Sequence, residues 1–390
     1  MLTYSFTDIG SDSLYIHLYK CMKNDITRGN LTAGTKLPAK RPFAENLGIS
    51  IITVENAYAQ LAAEGYIYSL PRKGYYVAAI QQNQNFTSFE APSPSPRPSA
   101  APEFFADFSS NQVCKEQFPF SVWAKIIREL LSECQTELLT NPPSGGVLFL
   151  RESIAGYLRA FRNIHVDPEQ IIVGAGTEYL YGLITQFLGR DKCYGIENPG
   201  YQKISKIYES HQINFRPVSV EKDGINIREL EEQNIDVMHL SPSHHFPTGI
   251  VTPISKRYEL LGWAAKSEDR YIIEDDYDSE FRLTGQPIPS LQSIDAMEKV
   301  IYMNTFTKSL ASTIRISYMV LPRHLLELFY EKLSFYSCTI PNLDQYALGK
   351  FIADGYFENH INRMRTYYHK KRDYLLDKIR KSGLAGHASI

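Results

Sequence analysis

Apolar positions follow two regimes along the chain. From about residue 13 to 80 they recur at helical spacing. Leu14, Ile16, Leu18, Tyr19 and Met22 fall near one helix face, and Gly29, Gly34 and Pro38 punctuate the loop after it. Pro42 to Leu47 predicts a short helix that Gly48 ends. Ser50 is then an N-cap for a second helix, Ile51 to Gly65, whose Val54, Ala57, Tyr58 and Leu61 form the apolar face. Thr53, Asn56 and Gln60 are left on another face. Tyr66-Ile67-Tyr68, the basic tip Pro71-Arg72-Lys73-Gly74 and Tyr75-Tyr76-Val77 predict a strand pair. Two short helices around a glycine turn, followed by a hairpin, make a winged helix-turn-helix arrangement.

Residues 81–102, QQNQNFTSFEAPSPSPRPSAAP, are polar and then rich in Pro and Ser, which predicts a linker, partly extended. From about 103 the pattern changes. Ile154, Tyr157, Leu158 and Phe161 make one helix face. Strand-like runs follow at 171–176, 193–197, 213–218, 236–241, 271–275, 300–304 and 315–321, with helical stretches such as 178–189 and 255–267 between several of them. This alternation predicts an α/β domain, a mostly parallel sheet with helices on both faces. Ligands of such sheets bind at the carboxyl ends of the strands.

Composition changes the picture little. A length of 390 residues, 43% hydrophobic and 22% charged, allows two or three domains with ample core. The net charge of −2 gives no global sign of a nucleic-acid partner, so any such contact must be local. Residues 1–80 carry eight Lys and Arg against six Asp and Glu, a net +2. Cys21, Cys114, Cys134, Cys193 and Cys338 are scattered without metal or redox spacing, which fits reduced cytoplasmic thiols. MLTYSFTDIGSDS lacks the basic start and apolar centre of a signal peptide, and no apolar run approaches the ~18 residues of a membrane helix.

Candidate chemistry centres on TFTKSLASTIRISY, Thr305 to Tyr318, which follows the buried-strand pattern Val300-Ile301-Tyr302-Met303. Lys308 stands among Thr305, Thr307 and Ser309, with Arg315 on the next β-like segment. Hydroxyls donate to anion oxygens, arginine pairs with them bidentately, and a partly desolvated lysine beside another cation is a carbonyl nucleophile. Upstream, YIIEDDYDSEFR is a strand-like run ending in acids. A carboxylate there can pair with a protonated ring nitrogen.

These two segments, in order and spacing, resemble those of fold-type I pyridoxal-phosphate enzymes, the aspartate aminotransferase superfamily. The resemblance implies pyridoxal 5'-phosphate (PLP) as an internal aldimine on Lys308. Thr305 and Arg315 would hold its phosphate, Asp275 its pyridine nitrogen, and Tyr277 would stand near its phenolate oxygen. GAGTEYLYG adds a strand–glycine–helix turn where Thr177 and the amide of Glu178 would meet the phosphate. Glu178 stands where the family often has glutamine, so its carboxylate is expected to point away. ENPGYQ puts Tyr201 where the family stacks an aromatic ring on the cofactor. SPSHHFPTG resembles the family's PTG loop, with Phe246 in place of the usual asparagine. NPPSGG–LR resembles the dimer-contact loop, with Asn141 in place of a tyrosine. The adjacent His244 and His245 lack the spacing and further ligands of a metal site, so no metal is expected.

TKLPAKRPFAENLGISIITVENAYAQLAAEGYIYSLPRKGYYV resembles the GntR-type DNA-binding domain. The implied contacts are Arg41 before the first motif helix, Ser50, Ile51 and Thr53 at the start of the recognition helix, and Arg72, Lys73 and Gly74 on the wing. Ile51 departs from the basic residue usual after the capping serine, which alters phosphate grip or base preference.

Most of the chain resembles the MocR/GabR-type subfamily of GntR regulators. The domains expected are a winged helix in 1–80, a linker in 81–102 and an aminotransferase-like domain in 103–390, whose C-terminal small domain looks incomplete. No residue is assignable to the arginine that grips a substrate α-carboxylate. The expected function is a cytoplasmic, homodimeric, PLP-dependent regulator of a double-stranded DNA operator that senses a small amine, an amino acid or PLP itself. An active aminotransferase with an appended DNA-binding domain is the alternative. A DNA-binding protein with a mere dimerisation scaffold is the third.

Overall fold

Each helix of the first unit contributes one apolar stripe to a common core. α1 (Leu14–Thr27) buries Leu18, Met22 and Ile26; α2 (Lys40–Leu47) buries Phe43 and Ala44; α3 (Ile51–Ala63) buries Val54, Ala57, Tyr58 and Leu61. The antiparallel pair β1 (Ile67–Leu70) and β2 (Gly74–Val77) closes it with Ile67 opposite Val77. The computed structural model describes residues 2–6, 12–79, 113–281 and 288–382, and the chain divides into two compact units, Met1–Phe104 and Phe105–Ile390. The expected linker, 81–102, lies outside the described residues.

Local signals explain the helix ends. Gly48 ends α2 at φ 67, a left-handed conformation that costs glycine nothing. Ser50 caps α3 by accepting a bond from the Thr53 amide at 3.1 Å. α2 begins at Lys40, two residues before Pro42, because a proline in the first turn removes only an amide that has no intrahelical partner. α3 stops before Gly65, which adopts φ 77.

The second unit begins with α4 (Phe120–Glu133), α5 (Gln135–Leu139) and α6 (Leu148–Arg162). Strands and helices then alternate: β3 (Ile171–Gly174), α7 (Thr177–Leu188), β4 (Tyr194–Asn198), α8 (Gln202–Ser210), β5 (Phe215–Glu221), β6 (Gly224–Ile225), α9 (Ile227–Glu232), β7 (Val237–Leu240), α10 (Ile254–Ala265) and β8 (Tyr271–Asp275). β9 (Val300–Thr305), α11 (Phe306–Ser309), β10 (Ser317–Val320), α12 (Arg323–Leu333), α13 (Asn342–Ala353) and α14 (Tyr356–Lys381) complete it.

The sheet order is β3-β10-β9-β8-β7-β4-β5-β6. β9, β8, β7, β4 and β5 are parallel neighbours in that order. β10 is antiparallel to both β9 and β3, which makes β3 parallel to those five, and β6 is antiparallel to β5. The carboxyl ends of β3, β4, β7, β8 and β9 therefore share one edge with the start of β10. Alternate strand residues serve opposite faces. Ile171, Val173, Tyr302, Tyr318 and Val320 pack with α6, α13 and α14, whereas Ile172, Ile301, Met303 and Met319 pack with α7 and α12. Both faces are covered, so truncating Ile301 or Met303 to alanine should cost about 2–5 kcal/mol.

Candidate functional site

Asp275 ends β8 on the shared edge, and its carboxylate is buried in a fixed polar setting. Oδ2 accepts the Tyr181 hydroxyl at 2.5 Å and lies 3.8 Å from His239 Nε2. His239 Nδ1 is 2.9 Å from the Tyr208 hydroxyl. Burial and the Asp275 charge push the Tyr181 phenol well above its ordinary pKa, so it remains the donor. Oδ1 is buried and has no hydrogen-bond partner among the described residues. Such an oxygen needs a hydrogen-bond donor to offset its desolvation. Nearby, burial pushes the Glu197 carboxyl up to about 8; it accepts the Ser241 amide at 3.1 Å and stands 3.7 Å from His245 Nε2.

Lys308 lies on α11, directly after β9 and next in the sheet to β8. Burial lowers its pKa from the ordinary lysine value, opposed by the Asp278 charge. Thr305 caps this turn, and its hydroxyl is turned inward. It accepts from Ser317 Oγ at 2.8 Å and from the Thr307 amide at 3.2 Å, and donates to Thr307 Oγ1 at 2.8 Å. Its one hydrogen is thereby committed, and half-buried Thr307 is the outer hydroxyl of the pair.

The turn from β3 into α7 brings Gly176, Thr177 and Glu178 beside Arg315. Gly176 adopts φ 100, a conformation that favours glycine, and a Cβ there would displace the Arg315 guanidinium, whose Nη2 would lie 2.1 Å away. Thr177 opens α7. Contrary to the expectation from the sequence, the Glu178 carboxylate does not point away. It accepts from Arg315 Nη2 at 2.5 Å and from Lys203 Nζ, because two cations outweigh any repulsion from its surroundings. Ala175 and Arg315 also border a cavity of about 530 Å³, lined further by Phe118, Leu310, Thr313 and Ile314. That volume is within the range of small-molecule sites, ~300–1,000 Å³. The cavity reaches neither Lys308 nor Asp275.

Tyr201 follows the cis Asn198-Pro199 peptide and is 41% exposed, its ring edge-on to Phe246 at 5.9 Å. Tyr277 donates its hydroxyl to the His244 carbonyl at 2.9 Å and stacks on the His244 ring. In this arrangement it can accept from, but not donate to, a ring oxygen. Asn141 is exposed in the loop before α6. Sequence reasoning places Thr307 among the hydroxyls around Lys308 but does not single out Tyr181, His239, Tyr208, Glu197 or Lys203 as site residues. The one available signal is a polar histidine within the apolar strand Val237-Met238-His239-Leu240.

Asp275 Oδ1, a desolvated amine, the helix terminus with Arg315, and exposed Tyr201 meet the needs of PLP's pyridine nitrogen, aldehyde, phosphate and ring face. The residues present fit that group. Among the described residues, no group of three or more His, Cys, Asp and Glu could hold a metal ion, and no helix is long and apolar enough to cross a membrane.

In the first unit, Arg41, Ser50 and Ile51 are exposed, Thr53 is half-buried, and Ile52 is 68% exposed. Arg72, Lys73 and Gly74 are exposed at the hairpin tip, with Arg72 at φ 61. Lys40 is tied to Glu55 at 2.6 Å.

Residues 105–388 match the family described as aminotransferase class I and II, and residues 14–77 match bacterial regulatory proteins, gntR family. The chain is 42% identical over 379 residues to the uncharacterized HTH-type transcriptional regulator YdeL of Bacillus subtilis, covering 97% of this chain and 81% of that one. It is 33% identical to the probable rhizopine catabolism regulatory protein MocR of Rhizobium meliloti, over 94% of this chain and 77% of that one. It is 28% identical to the pyridoxine biosynthesis transcriptional regulator PdxR of Corynebacterium glutamicum, over 94% and 79% respectively. Among solved structures, an archaeal alanine:glyoxylate aminotransferase superposes with a TM-score of 0.63 at 25% identity, covering 70% of this chain and 69% of that one. The kynurenine aminotransferase of Pyrococcus horikoshii gives 0.62 at 24%, over the same shares, and shows the fold alone.

Proposed function

The chain belongs to the HTH-type transcriptional regulators that join a gntR domain to an aminotransferase class I and II domain, and from that premise we propose that it is an operator-binding regulator whose PLP site reports a small amine, an amino acid or PLP itself. The observation that carries the cofactor reading is Asp275: one oxygen fixed by Tyr181, the other buried and unpartnered, at the edge that also carries Lys308.

PLP supplies an aldehyde that bonds amines reversibly and a ring that withdraws electrons. The protein's own groups have distinct tasks. Lys308 offers an amine whose lowered pKa favours the nucleophilic, uncharged form. Asp275 Oδ1 accepts from a protonated ring nitrogen. Arg315, Thr177 and the first amides of α7 hold phosphate, with Thr305 bracing Thr307 behind them. Tyr201 would cover the ring, and Tyr277 holds the His244 loop through its bond to the His244 carbonyl. An effector amine able to compete with Lys308 for that aldehyde would leave the Lys308 amine unbound and would bias the conformation presented to DNA.

The division of labour we infer is DNA binding by 1–80, a linker in 81–102 and effector binding by 103–390, in a cytoplasmic homodimer. Full-length protein mixed with PLP should show a visible absorption band that Lys308→Ala lacks. Added amines should then change its affinity for operator DNA. A parent without the band, or an unchanged band in Lys308→Ala, overturns the cofactor reading. Lys308, Asp275, Tyr201 and Arg315 together also favour a second reading, an aminotransferase with a DNA-binding domain. Turnover of amino donor and keto acid at ordinary enzyme rates would select it.

A further inference from the structure

The first turn of α3 exposes two branched apolar side chains, and the helix offers no cation, where a groove-reading helix usually carries charge. The core stripe is Val54, Ala57, Tyr58 and Leu61. Ile52 precedes Val54 by two positions, about 200° round the helix, and shares the opposite face with Asn56 and Ala59 at i+4 and i+7. Ile52 is 68% exposed and Ile51 41% exposed, so two adjacent branched apolar side chains open the helix in water. α3 contains no Lys or Arg. Guanine is read chiefly by bidentate Arg or Lys, and this helix has neither. Its one charge, Glu55, is held by Lys40 at 2.6 Å. Gln60 is engaged with Glu64 at 2.7 Å, whereas exposed Asn56 has no side-chain hydrogen bond among the described residues.

Resting on the operator-binding reading, we infer that the first turns of α3 read A·T pairs in the major groove: Ile52, with Ile51 beside it, covers thymine C5-methyl groups and Asn56 bonds an adjoining adenine. Apolar side chains recognise the thymine methyl, and an asparagine amide matches adenine N6 and N7. The patch is continuous with the helix-turn-helix and wing, whose exposed Arg41, Arg72 and Lys73 supply the charge that a DNA partner requires. We assign those cations to phosphates, a contact that carries no sequence information directly. The choice of bases falls to Ile51, Ile52 and Asn56. Small Ala59 on the same face allows close approach to the base edges.

The test uses the full chain. Random-sequence duplexes are selected on the purified protein, and the recovered site is resynthesised with each thymine replaced in turn by deoxyuridine, which removes only the methyl. Affinity is read by fluorescence anisotropy at fixed salt. One or two positions per half-site should weaken binding about fourfold each, the loss expected for uncovering one methyl-sized apolar group. Ile52→Ala, an exposed position that leaves the core intact, should bind the thymine duplex more weakly and discriminate less between thymine and uracil. A parent indifferent to uracil at every position overturns the inference and leaves the regulator reading standing. So does full discrimination retained in both Ile51→Ala and Ile52→Ala. Recovery of no preferred duplex overturns both.

Discussion

Glu178 Oε2 accepts from Arg315 Nη2 at 2.5 Å, so a carboxylate of the chain itself sits on the cation assigned to the cofactor phosphate. Partial burial pushes the Glu178 carboxyl up, but bonds from Lys203, its own amide and Arg315 outweigh that and hold it at about 2. It is ionised throughout the physiological range and, under the proposed assignment, would compete with phosphate for Arg315. Glu178→Gln should tighten PLP binding about two- to fivefold, in keeping with ~0.5–1 kcal/mol for a partly exposed pair. Spectroscopic titration of PLP checks this, and weaker binding in the variant would reverse the assignment.

Arg162 and Asp276 form a buried ion pair behind the site, and the Tyr302 hydroxyl donates to the same Asp276 oxygen at 2.7 Å. Removing one partner leaves a buried charge uncompensated. Arg162→Met should destabilise the second unit by about 3–5 kcal/mol in urea unfolding. A loss below ~1 kcal/mol would mean the pair is solvated in solution.

Glu197 titrates near 4.5 when exposed and is pushed up to about 8 in the fold by burial. Glu280 is pushed up to about 7, by burial and then by the Asp276 charge. Between the unfolded and folded values the native state holds the extra protons. Stability should therefore fall as pH rises from about 5 to 8, at up to about 1.4 kcal/mol per pH unit for each such group. Glu197→Gln should flatten part of this slope, measured as urea midpoints at several pH values. An unchanged slope would show that Glu197 ionises freely in the fold.

Arg41 on α2 and Arg72 on the wing are exposed. A cation that neutralises one phosphate contributes about 0.9 to the steepness with which log affinity falls against log salt. Arg41→Ala and Arg72→Ala should each weaken operator binding uniformly across sequences and flatten the slope by about that amount. Anisotropy titrations at several salt concentrations decide it. An unchanged slope removes that arginine from the interface.

The β–α alternation is legible in the sequence because each strand is a short apolar run whose two faces are both covered, and Lys308 and Asp275 are legible as strand-end polar residues. The direction of β10 is not, since Ser317-Tyr318-Met319-Val320 has the same apolar signature whichever way it pairs. The surroundings of Asp275 are hidden for a different reason. Tyr181, Tyr208 and His239 come from α7, α8 and β7, and only the closed fold brings them together. The orientation of Glu178 depends on Lys203 and Arg315, 25 and 137 positions away, so no local pattern announces it. Ile52 escapes notice because periodicity marks which apolar residues are buried and says nothing of one left out.

Because β10 returns antiparallel beside β9, Lys308 and Arg315 lie on one connection between adjacent strands, while the partner of Arg315 on α7 is 137 residues upstream. Short-range pairings cost little loop-closure entropy and long-range ones cost more. The amine and guanidinium should thus be arranged early in refolding, and the contact between Arg315 and the turn at Gly176 should close late. In stopped-flow refolding, recovery of PLP binding should lag behind recovery of far-ultraviolet circular dichroism. The anion grip would then serve as a checkpoint on chain maturation: a nascent molecule in which β10 has not yet paired with β3 would not retain the phosphate, whatever its lysine has captured.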